Sequence, residues 1–505
     1  MTAFLARLGD RINPIVVKET RQAVNSRLVA AFLLIFLAVQ LVVMLLVITG
    51  RELSNPDDMN LRAGRDMFTV VQGILLGACM ILIPTMTGAR LASERSDVNV
   101  DLLFISSLTP RAVLSGKLFA AGALALLIFS ACAPFMTFAY VMRGLDVPTI
   151  LVVLTADYLA VLLGTTFALF LASVPANRGL RILLGLGGFI FMCYLGAGLL
   201  ALSSEFLRGS SDFDMSSWDF WLGGVGVVGI TFGSMGQLFM WSVALISPPA
   251  ANRAFAVRVY TLGLWIVGGF GFAIWSLYVG HPEPMSVWGL LGCAVFSLQM
   301  IVAVCERDHW GARVACRIPR RAYFRPLAFL FYSGAAGGLA FGVIGAAASA
   351  VGIVVWYLIV PSTRSSDTSV LALIAALVPA YTYCYCLTAA LVRRLLAKSL
   401  FRPGYTWIIA GLLFGLGCTV PYIVRFAFLE SYSRYGYSDE LTPLYVTNPV
   451  VMIDDAIRHS DTSIIFTLFF LVVWGGVVTA ANAPWFIKQV TKFQPPEPRE
   501  EKADE

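Results

Sequence analysis

The stretch ASERSDVNVDLLFISSLTPRAVLSGK, Ala92 to Lys117, places six charged residues (Glu94, Arg95, Asp97, Asp101, Arg111 and Lys117) between two runs of almost unbroken apolar sequence. Each flanking run, near 68–88 and 118–141, has the roughly 20 mostly apolar residues that a helix needs to cross a bilayer. The charged segment is therefore a loop between two membrane spans. Working outward, the same criterion gives spans near 28–49, 149–174, 182–203 and 222–247, and six more near 259–279, 286–304, 334–360, 369–391, 404–428 and 463–485. The composition agrees: 58% of the 505 residues are hydrophobic, 13% are charged, and the mean hydropathy is +0.79. These values lie far from those of a soluble domain.

Charge distribution sets the orientation. Lys and Arg collect on loops that face the cytoplasm. With the N-terminus inside, 27 of the 36 Lys and Arg residues fall on inside segments, among them Arg7, Arg11, Lys18, Arg21 and Arg27 ahead of the first span. The densest inside loop is CERDHWGARVACRIPRRAYFRP, residues 305–326, with six arginines. Outside loops carry acids such as Asp57, Asp58, Asp212, Asp214 and Glu430. The fold class that follows is an all-α polytopic membrane bundle of about 12 spans with both termini cytoplasmic. The net charge of +6 needs no nucleic-acid partner, since inside loops account for it. The first apolar run is too long for a cleaved signal core and reads as a retained span. Residues 486–505, ending in KFQPPEPREEKADE, read as a disordered cytoplasmic tail.

Within the opening stretch, Val100, Leu103, Phe104 and Leu108 recur at helical spacing, with Asp97, Asn99, Asp101 and Ser106 elsewhere around the turn. Thr109 and Pro110 then supply an N-cap and a first-turn proline, so a new helix should start there and run through Lys117 into the third span. A helix, a turn and a membrane entry form a bracket. It can lie passively at the headgroups, or act as a lever for a cytoplasmic partner. Near the N-terminus, NPIVVKETRQAVNSR places Asn13 as a cap and Pro14 in a first turn, setting Lys18, Glu19 and Arg21 on a helix beside the membrane.

These two segments carry a resemblance. The Glu94-Arg95 pair followed by DLLFISSLTPRAVLSGKL is similar to the segment between the second and third spans of bacterial ABC transporter permeases of the ABC-two exporter class. There a Glu-Arg pair, a Leu-Asp-Leu-Leu-like run, Ser-Pro-Arg and Gly-Lys follow one another. The N-terminal stretch resembles the Asn-Pro-x-x-x-Lys-Glu-x-Arg opening of the same family. The match covers about the first 250 residues, as motifs plus a six-span plan. Thr109 stands where the family often has Ser, which keeps the cap. The chain then continues through six more spans, whereas a simple family member ends after six and dimerises.

The resemblance implies a membrane-spanning permease subunit in the bacterial inner membrane, exporting a substrate with ATP hydrolysed by a separate cytoplasmic ABC ATPase. On that implication the coupling residues are Glu94, Arg95, Asp101, Leu103, Leu108, Thr109, Pro110, Arg111, Gly116 and Lys117, and the N-terminal interfacial helix carries Asn13, Pro14, Lys18, Glu19 and Arg21. ATP and magnesium belong on the partner chain. This chain has no P-loop: SGKL at Ser115–Leu118 lacks the preceding glycines and has Leu where a hydroxyl must bind magnesium. Residues 1–250 then form a six-span permease-like domain and 251–485 a second six-span domain. The loop from Cys305 lies between the second and third spans of that half, and Glu306-Arg307 echoes Glu94-Arg95. It reads as the counterpart of the opening stretch, or as a basic loop near anionic headgroups. Membrane lipids are expected partners on either reading, and a homodimer stays open.

No catalytic set and no metal site emerge. Cys305, His309 and Cys316 are three loosely spaced ligands without a fourth, and Asp455 with His459 reads as a solvated loop. Seven of the nine cysteines fall in apolar runs, where a thiol behaves as a small hydrophobe, and no disulfide is expected. Asp157 is the clearest acid inside a span. It marks a candidate ion site, as in a secondary transporter, or pairs with a group such as Arg425, or reaches the outer headgroups. A scaffold that only anchors a partner is the third functional alternative. Gly334, Gly338, Gly342, Ala346 and Ala350, and again Gly411 and Gly415, form small-residue stripes expected to pack closely. Trp218, Trp221, Trp288 and Trp485 near span ends read as interfacial anchors.

Overall fold

A computed structural model gives the architecture and describes residues 14–52, 63–94, 109–142, 145–208, 215–248, 251–360, 365–396, 403–429, 442–457 and 461–496. Those residues form helices without a strand, and twelve of the helices are long and apolar enough to cross a membrane. The protein is thus an all-α, multi-pass transmembrane bundle. The chain divides into two compact units, Met1–Pro248 and Pro249–Glu505.

In the first unit a short helix α1 (Pro14–Val24) precedes six long helices: α2 (Arg27–Glu52), α3 (Ala63–Glu94), α4 (Pro110–Val141), α5 (Val147–Ser173), α6 (Arg178–Arg208) and α7 (Trp218–Ile246). The second unit has α8 (Arg253–Val279) and α9 (Glu283–Val304), then the short α10 (Ala312–Ala315) and α11 (Arg325–Phe331), and then α12 (Ala335–Ile359). It ends with α13 (Ser365–Leu396), α14 (Thr406–Val424), the short α15 (Thr442–Tyr445) and α16 (Pro449–Ile457), and α17 (Asp461–Lys492).

The two units share the extremes of burial but not its full order, since the third span is the second most enclosed in the first unit and the fourth is in the second. The second span is the most enclosed, with 56% of its apolar window buried in α3 and in α9, whereas the first has 11% in α2 and 6% in α8. In the first unit α3 is clasped by α4, α5 and α6. Its inner face, with Phe68, Val71, Leu75, Cys79 and Ile83 at helical spacing, forms one core with Leu124, Ala125 and Ile128 of α4. In the second unit α9 lies against α12, α13 and α8.

The α9–α12 contact is a small-residue seam. A Cβ at Gly338 would run into the Ala303 methyl and the Arg258 guanidinium, and one at Gly342 would meet Met300 and the Phe296 carbonyl. Backbones approach closely there, as expected of such a stripe. Gly411 and Gly415 differ from expectation: nothing lies within 4 Å of a Cβ at either. Their stretch of α14 packs at Gly417 instead, against the Tyr385 ring and the Thr447 carbonyl.

Two further expectations change. Trp218 and Trp221 are exposed at the start of α7, as anchors should be. Trp288, however, is buried, with its Nε1 donating to the Trp265 carbonyl at 2.9 Å and its ring over Gly269. Trp485 is held from both sides, donating to Asp308 at 3.2 Å under the Arg394 guanidinium. Ring size won over interface preference, because a glycine and a guanidinium offered flat partners. The tail also begins later than residue 486. Helix α17 runs to Lys492, and Phe493 is buried against Trp310, Phe329 and Tyr332.

Candidate functional site

Three segments named from separate motifs converge at one end of the first unit. Helix α3 does not stop at the apolar boundary near residue 88 but continues through Arg90 to Glu94. Helix α4 starts at Pro110, where the Thr109 hydroxyl accepts from the Ala112 N–H at 3.3 Å, the N-cap that the Thr-Pro pair calls for. Helix α1 begins at Pro14 and lies along α4. Between them, Lys117 Nζ donates to Glu19 Oε1 at 2.7 Å and to Glu94 at 2.9 Å, and Arg90 Nη1 approaches Glu19 Oε2 at 3.6 Å. The Lys117 side chain is 2% exposed and that of Glu19 7%.

Two cations and two carboxylates thus close a neutral network that ties the helix before the first span to the end of the second and the start of the third. A buried pair of this kind contributes modestly to net stability, yet losing one partner strands a charge at a cost of about 3–5 kcal/mol. It holds geometry. Below it, Gly116 and Leu114 are buried, and Leu114 packs with Leu91, Leu169 and Val243. The network thus joins α1 to the second and third spans, and the Leu114 cluster joins these to the fourth and sixth.

Of the residues singled out from sequence, Glu19, Glu94 and Lys117 meet in the network, with Thr109, Pro110 and Gly116 shaping the start of α4. Lys18, Arg21 and Arg111 are exposed and face away from it. Asn13, Arg95, Asp101, Leu103 and Leu108, like His459, lie outside the described residues. Arg90 was missed, since a lone arginine at a span end reads as ordinary inside charge.

A second polar group sits within the first unit. Asp157 of α5 is 1% exposed, and both its oxygens accept from Gln72 Nε2 of α3, at 3.3 and 3.0 Å. Ser203 of α6 donates to Gln72 Oε1 at 3.2 Å. The carboxylate is turned into the bundle, away from the outer headgroups. Its partner within the unit is an amide; in the second unit, Arg425 donates to the Tyr445 hydroxyl. Gln72 could have been found, because an amide in a span needs a partner as an acid does.

The second unit carries its own junction, made by its first three spans. Arg258 of α8 donates to both oxygens of Glu306, just past the end of α9, at 2.7 Å each, and to the Leu330 and Tyr332 carbonyls at 2.8 and 2.7 Å. The Gly334 N–H, at the start of α12, donates to Glu306 Oε2 at 2.6 Å. Burial pushes the Glu306 carboxyl above its ordinary range, and the Arg258 charge and the Gly334 N–H pull it back. Arg258 was not singled out from sequence. Glu306 was, by its echo of Glu94. Cys305 and Cys316 are free thiols, and among the described residues no group of three or more His, Cys, Asp or Glu is placed to hold a metal.

No protein-family model, no curated protein and no solved structure matches this chain.

Proposed function

We propose that this chain is the membrane-spanning permease subunit of an ATP-driven ABC exporter in a bacterial plasma membrane. A separate cytoplasmic ATPase docks on the segment from Glu94 to Lys117. The observation that supports this most is the convergence of Glu19, Glu94 and Lys117 from two distant motifs on one buried network. A coupling element has to transmit force to several spans together, and such a junction is stiff enough to do so. The burial extremes that the two units share, the second span most enclosed and the first and fifth least, support a chain that supplies two permease-like halves, where simpler members of the family dimerise.

The test is affinity purification of the full chain in mild detergent, followed by an ATPase assay. An ATPase should co-purify with the native chain and be lost from Leu103→Asp, while Lys18→Ala, outside the network, keeps it. Failure of any ATPase to co-purify overturns the reading.

The burial of Asp157 favours a second reading, an ion-coupled secondary transporter with the carboxylate as coupling group. Asp157→Asn separates the two. An ATP-driven complex should retain most of its ATPase stimulation, whereas ion-coupled transport would stop.

A further inference from the structure

The segment between α9 and α12 is a folded hairpin with two unlike faces. Its inner face carries Val314, Ile318 and Phe329, all buried, with Phe329 and Ile318 in one cluster with Phe493. Trp310 Nε1 donates to the Ser333 carbonyl at 2.6 Å, and the Tyr332 hydroxyl donates to the Arg317 carbonyl at 2.6 Å. These bonds fasten the hairpin at both ends.

Its outer face combines cation and ring. Arg313, Arg317, Arg320 and Arg321 are exposed, and no Asp or Glu occurs between Asp308 and Asp367. Of the hairpin's two acids, Glu306 is consumed by Arg258 and Asp308 accepts from Trp485. Beside the arginines, Tyr323 is 65% exposed, Phe324 48% and Leu327 59%, with the two rings 4.4 Å apart. Exposed apolar groups are ordinary on a lipid-facing span but costly on a loop in water. The hairpin leaves α9 and enters α12 at the ends of two spans, which is headgroup depth.

We infer that residues 312–327 form a built-in site for anionic lipid: the arginines hold phosphate-bearing headgroups, and Tyr323, Phe324 and Leu327 dip into the acyl boundary. Charge complementarity selects the occupant. Four arginines that have no carboxylate partner among the described residues call for an anionic surface, and aromatic side chains next to them fit an interface that is wet on one side and apolar on the other. A guanidinium also matches a phosphate in geometry, with two parallel donors. The inference does not depend on whether the chain is a permease.

The experiment places a photoreactive benzoylphenylalanine at position 324 of the full chain, reconstituted in vesicles of roughly one-third phosphatidylglycerol in phosphatidylcholine, a strongly anionic surface. Mass spectrometry of the illuminated protein reads the ratio of the two lipids among adducts. The ratio of phosphatidylglycerol to phosphatidylcholine among adducts should exceed the bulk ratio, and should fall toward it by up to roughly fivefold for each of Arg317→Gln and Arg320→Gln, the equivalent of about 1 kcal/mol per surface arginine. Arg317→Lys with Arg320→Lys keeps the charge and should keep most of the enrichment, which separates lost charge from a misfolded hairpin. Adducts at the bulk ratio in the native chain, no lipid adduct at all, or a protein adduct when cells are illuminated would each overturn the site.

Discussion

Each unit fastens the end of its second span to the start of its third, but with a different third member and a different cation. In the first, the central cation is Lys117 on the third span, and the acids come from α1 and from the end of the second span. In the second, the cation is Arg258 on the first span, the acid is Glu306 past the end of the second, and the third contributes backbone at Gly334. The choice of cation follows from the partners. Lysine is a compact point charge, suited to two carboxylates arriving from different helices. Arginine offers a fork, and Arg258 uses it to hold one carboxylate by both oxygens while serving two carbonyls. The comparison teaches that the junction of second and third spans recurs while its third member changes, the helix before the first span in one unit and the first span itself in the other, and that the second unit's is the more deeply wired.

The comparison can be broken most directly at its two cations. Arg258→Met leaves Glu306 without its charge partner and frees two carbonyls, and should destabilise the second unit by about 4 kcal/mol. Lys117→Met should cost the first unit about 3 kcal/mol, less because Arg90 remains 3.6 Å from Glu19 and the Glu94 side chain, 42% exposed, can turn to water. Hydrogen exchange on the detergent-solubilised chain reads both, as lost protection in α8, α9 and α12 for one variant and in α1, α3 and α4 for the other. Equal losses in both units would sink the claim that the second junction is more deeply wired. Gly338→Ala comes next. Its methyl would press on Ala303 and on Arg258, so a loss of about 2 kcal/mol confined to the second unit is expected, against almost none for Gly411→Ala.

How much of this was legible in the sequence depends on what each residue advertises. Twelve spans were readable because apolar length is a property of the chain itself. The start of α4 was readable because Thr109 and Pro110 act locally. Glu19, Glu94 and Lys117 could be listed from motifs, but their meeting could not, since it depends on α1 lying against α4. Arg258 was hidden in plain view: an arginine at the head of a span satisfies the inside-charge rule and needs no further reason to be there. Trp288 misled for the matching reason. A tryptophan near a span end has a ready surface explanation, and only the glycines of α8 that admit its ring reveal the buried one.

The smallest expected effect is also the most discriminating. In the first unit the start of the third span is capped by its own residue, since Thr109 accepts from Ala112 and takes no part in the ion pairs. In the second unit the corresponding start has a glycine, and Glu306, the acid of the clamp, accepts the Gly334 N–H. Capping and clamping are therefore separate in one unit and shared in the other. Thr109→Ala should cost about 1 kcal/mol, fray the first turn of α4, and leave protection at Glu19 and Glu94 unchanged. Glu306→Gln should loosen the first turn of α12 and the Arg258 contacts together, because a single side chain holds both. If Thr109→Ala also loosened α1, the network around Lys117 would owe its geometry to the cap, and the two junctions would differ in chemistry but not in design.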